Sequence, residues 1–121
     1  MLIHICKSKI AHLTVTEAEL WYEGSITIDE TLLKAADILP GEKVNVLNVN
    51  NGERFETYAI AGKVGSGIVC LNGPAARLGV KGDQLIVLTY ALAERKEAAS
   101  YVMKVVKGDS KNKIAKNKSS A

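Results

Sequence analysis

The run Tyr22-Glu23-Gly24-Ser25 places a glycine directly before a serine, at the start of an alternating apolar stretch. Glycine has no Cβ, so the Ser25 hydroxyl can approach the preceding carbonyl carbon at little steric cost. Attack there converts the amide to an ester. β-Elimination then cuts the chain and leaves dehydroalanine, which hydrolyses to a pyruvoyl group. Gly-Ser is also a common turn dipeptide, and these two residues alone leave an ordinary turn open. A second group of reactive side chains lies at Arg54–Tyr58. In an extended strand Arg54, Glu56 and Tyr58 project to one face and Phe55, Thr57 and Ala59 to the other. The Arg54 guanidinium is a planar fork suited to a carboxylate, and a phenol on the same face has a proton to give. Thr57 needs a local twist, a bulge or a different contact to join them. The same segment also reads as an ordinary amphipathic strand with an exposed charge.

Other chemistries lack their residues. His4, His12, Cys6 and Cys70 have no metal-ligand spacing. Gly65-Ser66-Gly67 is too short for a phosphate-binding loop and leads into a strand instead of a helix. No serine stands in a recognisable nucleophile elbow with a histidine partner. The two cysteines sit in apolar alternating segments and read as buried free thiols, which fits a cytosolic protein. The first residues lack the pattern of a signal peptide, and no apolar run approaches the ~18 residues of a membrane span. The net charge of +3 is concentrated at one end. Residues 107–121 hold five lysines and one aspartate, which leaves 11 basic and 12 acidic side chains in residues 1–106, a net of −1. A nearly neutral body argues against a nucleic-acid partner.

The elements that must position these groups are short. The chain has 121 residues, 47% hydrophobic and 24% charged, the size and composition of one domain. Strands are expected at Leu2–Ile5, His12–Thr16, Ser25–Ile28, Lys43–Val49, Glu53–Ala61, Ile68–Leu71 and Gln84–Tyr90. Asn50-Asn51-Gly52 turns the fourth into the fifth. Asp29 is expected to cap a helix that ends near Ile38 before Pro40-Gly41. Asn72–Gly79 reads as a turn and short helix with Pro74 at its first position. Residues 94–106 are ambiguous between helix and strand. This is a mainly β fold, a small β-barrel with one or two short helices. It occupies residues 1–106 and is followed by a disordered basic tail at 107–121.

The segment Tyr22-Glu23-Gly24-Ser25-Ile26-Thr27-Ile28-Asp29 resembles the self-cleavage site of the pyruvoyl-dependent aspartate 1-decarboxylases. Lys7-Ser8-Lys9-Ile10 lies upstream at that family's distance. Asn48–Ile60 resembles its hairpin with an Arg-Phe-x-Thr-Tyr core, and Asn72-Gly73-Pro74-Ala75-Ala76-Arg77 resembles its Asn-Gly-x-Ala-Ala loop. The four motifs are in register over about residues 1–92, and the tail lies outside the likeness. The resemblance implies a double-psi β-barrel and a homotetramer with active sites between subunits. It implies self-cleavage at Gly24-Ser25 into chains 1–24 and 25–121, unaided or with a maturation helper protein. Ser25 would become a pyruvoyl cofactor whose ketone forms a Schiff base with the substrate amine and acts as electron sink, with no metal and no pyridoxal phosphate. The implied reaction is decarboxylation of L-aspartate to β-alanine for pantothenate synthesis, in the cytoplasm. Lys9 and Arg54 would hold carboxylates, Thr57 would assist cleavage or contact substrate, and Tyr58 would supply the final proton. Tyr22 would wall the pocket, and Asn72 would hydrogen-bond the new carbonyl. Gly73 and Ala75 would offer backbone N–H groups, which Pro74 cannot. Two positions depart from the family pattern and bear on substrate positioning. Ala11 stands where histidine is frequent, with the histidine displaced to His12, and Pro74 stands where alanine is frequent. The rival readings are a swapped-hairpin β-barrel that binds DNA and a pyruvoyl decarboxylase of another amino acid.

Overall fold

Alternation of apolar residues, clearest at Lys43–Asn48 and Gln84–Glu94, gives strands one face to bury, and the strands close on one another to bury it. The computed structural model describes residues 1–115. In chain order the elements are β1 (Leu2–Thr14), β2 (Glu17–Glu19), β3 (Ser25–Asp29), α1 (Glu30–Ala35), β4 (Lys43–Asn48), β5 (Arg54–Gly62), β6 (Val69–Asn72), a 3-10 turn (Gly73–Arg77), β7 (Gln84–Glu94), α2 (Arg95–Ser100) and β8 (Lys104–Lys107). The strands hydrogen-bond in the order β2-β6-β3-β5-β4-β7-β1-β8. β1 and β2 lie near opposite ends of that order but only two residues apart in sequence. Between them Val15 N donates to Asp83 O (2.9 Å) and Thr16 N to Val69 O (2.8 Å). The chain thereby carries one edge of the sheet to the other and closes a small barrel. Leu13, Ile26, Ile28, Val46, Leu71 and Leu85 fill its interior.

The β4–β5 hairpin pairs Lys43 with Tyr58 through Leu47 with Arg54, as its Asn-Asn-Gly turn leads one to expect. The first strand differs from expectation. Leu2–Ile5 and His12–Thr16 are joined into β1, which runs along β7 with irregularities between Cys6 and Ser8 and between Ile10 and Leu13. Each irregularity resets the alternation, and His12 at the second has φ 61°, so one strand reads as two separated pieces. The ambiguous segment resolves into α2 and then β8, which pairs with β1 in parallel.

Asp29 caps α1 as expected, its Oδ1 accepting from Thr31 N at 2.9 Å. It also organises the β5–β6 loop: Gly65 N donates to Oδ1 (3.1 Å) and Gly67 N to Oδ2 (2.8 Å). Asp29 is only 2% exposed. Burial opposes ionisation, but the N–H donors of Gly67, Thr31 and Gly65 outweigh it and hold the carboxyl below the ordinary carboxylate range. A depressed folded-state pKa contributes stability above the unfolded value, about 4, that is lost as pH falls through the folded one. Asp29→Asn is expected to lower unfolding stability by about 1–3 kcal/mol at neutral pH. In urea titrations the gap from wild type should narrow below about pH 4.

Over residues 107–115 the structure corrects the expected disorder. Lys107 ends β8, Gly108 bridges Ile114, and Asn112 is 2% exposed. Asn112 Nδ2 donates to Thr14 O and Gly67 O, both at 2.8 Å, while its Oδ1 accepts from Thr14 N at 2.8 Å. This segment docks through backbone groups and one amide, so low apolar content did not signal it. The folded body extends to Ala115, and the remaining stretch of the expected tail, 116–121, lies outside the described residues. Asn112→Ala leaves Thr14 N and two carbonyls to find new partners. It should cost about 1–3 kcal/mol, read as a lower denaturation midpoint, and truncation after Lys107 should lower it as well.

Candidate active site

Ser25 is the first residue of β3 and is fully buried. β3 runs between β6, antiparallel, and β5, parallel, with Ser25 opposite Asn72. Asn72 ends β6, and its Nδ2 donates to Ser25 Oγ and to Thr27 Oγ1, both at 2.9 Å. Its Oδ1 accepts from Cys70 Sγ at 3.1 Å. Ser25 Oγ donates in turn to Glu23 O at 3.4 Å. Alternation explains the grouping, since Ser25 and Thr27 on β3 and Cys70 and Asn72 on β6 all point to the outer face of the barrel.

The chain on the other side of the Gly24–Ser25 bond is held by the 3-10 turn. Gly73 has φ +63°. A Cβ there would collide with the Tyr22 carbonyl and lie 2.8 Å from Gly24 N and 3.0 Å from the Glu23 carbonyl carbon. The Gly73 backbone therefore lies directly against residues 22–24, where no side chain fits. Pro74 Cδ comes within 3.4 Å of where a Cβ on Gly24 would stand. The sequence points to Pro74 for its helical position, its missing N–H and its departure from the family pattern; its ring also packs beside Gly24.

Ile26 pairs with Ala59 across β3 and β5, both buried. One residue earlier on each strand, Ser25 and Tyr58 sit on the outer face of neighbouring strands, so the register brings Tyr58 to the serine's side. Tyr58 is 38% exposed. Thr57 points the other way. Together with Phe55, Glu56, Pro74, Ala75 and Leu78 it lines a cleft of about 230 Å³ that includes Gly24. Arg54 begins β5 on the Tyr58 face and is exposed; between them Glu56 pairs with Lys43 at 2.8 Å. Tyr22 is 59% exposed and its carbonyl, not its ring, meets the site. Lys9 on β1 lies opposite Leu88 and Val105, four strands from β3 in the sheet order. β1 does not pair with β3, so no strand register sets Lys9 beside Ser25. Thr27 and Cys70, the other partners of Asn72, escaped the sequence reading; only the β3–β6 pairing reveals them. Among the described residues no cluster of histidine, cysteine and carboxylate side chains could hold a metal ion.

Fold and site together describe a small β-barrel in which an exposed glycine, lying against Gly73 and Pro74, leads into a buried serine at the start of a strand. Residues 1–115 match the family described as aspartate decarboxylase. The aspartate 1-decarboxylase of Caldicellulosiruptor saccharolyticus is 57% identical over 116 residues, 96% of this chain and 91% of the relative. Its namesake in Leptospira biflexa is 54% identical over 117 residues (96% and 99%), and that of Syntrophobacter fumaroxidans 60% over 107 residues (88% and 86%). The chain belongs to the aspartate decarboxylase family. The likeness runs past the motifs, which end near residue 92, and takes in the docked segment around Asn112. Family membership disfavours the DNA-binding alternative.

Proposed function

We propose that this chain is a carboxy-lyase that converts L-aspartate to β-alanine and CO₂ with a pyruvoyl group made from its own Ser25. The observation that carries this reading is the buried Ser25 hydroxyl, hydrogen-bonded by Asn72 and placed directly after a glycine that Gly73 and Pro74 hold in place. In self-cleavage the Oγ–C bond to Gly24 forms, the Gly24–Ser25 C–N bond breaks, and the hydroxyl proton passes to the amide nitrogen. Loss of the Ser25 Cα proton then breaks Cβ–Oγ and releases residues 1–24 as a carboxylate. One water hydrolyses the remaining enamine, through its imine, to pyruvoyl and ammonia.

The site suits that group: conversion of Ser25 adds no bulk, and Asn72 Nδ2, 2.9 Å from Ser25 Oγ, is a neutral donor beside the residue that becomes the carbonyl. The pyruvoyl carbonyl supplies the electron sink for loss of CO₂. Arg54 binds a substrate carboxylate through its fork, and Tyr58, on the same face as Ser25, delivers the proton to carbon. Thr57 serves cleavage from the Gly24 side. Gly73 and Ala75 offer backbone N–H groups, and Tyr22 closes the pocket after assembly. Lys9 acts in a site shared between chains, which its distance from β3 within one chain favours. Ile86, Leu88, Tyr90 and Leu92 alternate along the outer face of β7, with Tyr90 and Leu92 exposed. Such a face supports the homotetramer. No helix of the described residues is long and apolar enough to cross a membrane; the reading is of a cytoplasmic enzyme of pantothenate synthesis.

Purified protein given L-aspartate, a chelator and no pyridoxal phosphate is expected to release β-alanine. Activity that appears only on adding pyridoxal phosphate or a metal would overturn the proposal.

A further inference from the structure

Cys70 lies two residues before Asn72 on β6 and is 4% exposed. Its Sγ stands 3.1 Å from Asn72 Oδ1; the Leu71 carbonyl, at 3.9 Å, is the more distant acceptor. The other end of the Asn72 amide faces two hydroxyls, Ser25 and Thr27. Hydroxyls both donate and accept, so they do not choose between the two ends of an amide. A thiol donating to Oδ1 does choose, because it holds the oxygen on its own side and turns the NH₂ toward Ser25 and Thr27.

The choice matters for the serine. With NH₂ facing it, Ser25 Oγ accepts from Asn72 and leaves its own proton directed at the backbone, toward Glu23 O. With the amide reversed, Oδ1 would draw that proton and set its lone pairs against the attacking oxygen. We propose that Cys70 is a positioning residue for cleavage of the Gly24–Ser25 bond, its S–H fixing the Asn72 amide with NH₂ toward Ser25 Oγ. This inference rests on the reading of Ser25 as self-processing. Burial, with Glu17 and Glu19 on the adjoining strand β2, raises the Cys70 thiol above its ordinary pKa, so the group remains the protonated donor that the geometry requires.

Two pairs of full-length variants separate the donor from the volume it occupies: Cys70→Ser with Cys70→Ala, and Cys70→Thr with Cys70→Val. Each chain is made by cell-free synthesis, cleavage is followed by intact mass against time, and melting temperature is measured beside it. Ser and Thr variants should cleave within about twofold of wild type. Ala and Val variants should slow about tenfold, the rate equivalent of one net hydrogen bond, with melting temperatures close to those of their hydroxyl counterparts. If one pair does not fold, the other decides. Cleavage of the Ala and Val variants at the wild-type rate, or equal slowing within a folded pair, overturns the role of Cys70. A wild-type chain that stays uncut even after incubation with a cell lysate able to supply a maturation helper defeats the self-processing reading itself, which keeps the two failures apart.

Discussion

The Ser25→Ala protein is expected to purify as one uncut chain that makes no β-alanine. The substitution removes the hydroxyl oxygen that the proposed mechanism uses to attack the Gly24 carbonyl. It leaves the backbone, the β3 pairings with β5 and β6, and the Gly73 clamp on residues 22–24 in place. Asn72 loses one acceptor but keeps Thr27 Oγ1. Alanine is smaller than serine by a single oxygen, so the buried position tolerates it with a cost of about 1 kcal/mol. The effect is therefore all-or-none on chain length and activity and small on stability. Gel mobility, mass and melting temperature on one sample check all three. A Ser25→Ala chain that still cuts between residues 24 and 25 would remove the serine from the mechanism.

Tyr58→Phe should cleave normally and then turn over about 10²–10⁴-fold more slowly, the usual size of general acid catalysis. Loss of CO₂ leaves a carbanion that must be protonated, and bulk water is a poorly oriented donor. Continued one residue before the Ile26–Ala59 pair, the parallel register of β3 and β5 sets Tyr58 across from Ser25 on the same face, and a phenol has an O–H to donate. Phenylalanine retains the ring against its neighbours. At 38% exposure the lost hydroxyl leaves no buried partner stranded, so stability should hold. The measurement is steady-state β-alanine formation on fully cleaved variant. Unchanged turnover would exclude Tyr58 as donor, and a variant that fails to cleave would assign it to maturation instead.

The residues of this site were legible in the chain to different degrees, for physical reasons. Tyr58 and Arg54 share a face by strand periodicity alone, and the structure keeps that face. Thr57 falls on the opposite face by the same rule, and the cleft it shares with Gly24, Pro74 and Ala75 forms only once the 3-10 turn lies beside β5. Asn72 meets Ser25 across 47 positions of sequence; the family motif points to it, but its contacts with Thr27 and Cys70 exist only once β3 and β6 pair. In the fold, regular alternation at Lys43–Asn48 and Gln84–Tyr90 marks real strands. β1 was divided because its irregularities interrupt the alternation. The segment after Lys107 was misread because Asn112 docks by hydrogen bonds, which leave no apolar signature. Lys9 shows the remaining boundary, since its place on β1 is plain while the role proposed for it rests on assembly, which strand patterning does not encode.

The most direct measurement is the intact mass of the purified wild-type protein under denaturing conditions. The account predicts two species: residues 1–24 with a free carboxyl end, and residues 25–121 beginning with a pyruvoyl group in place of serine. A single species at the mass of the uncut 121-residue chain would contradict it.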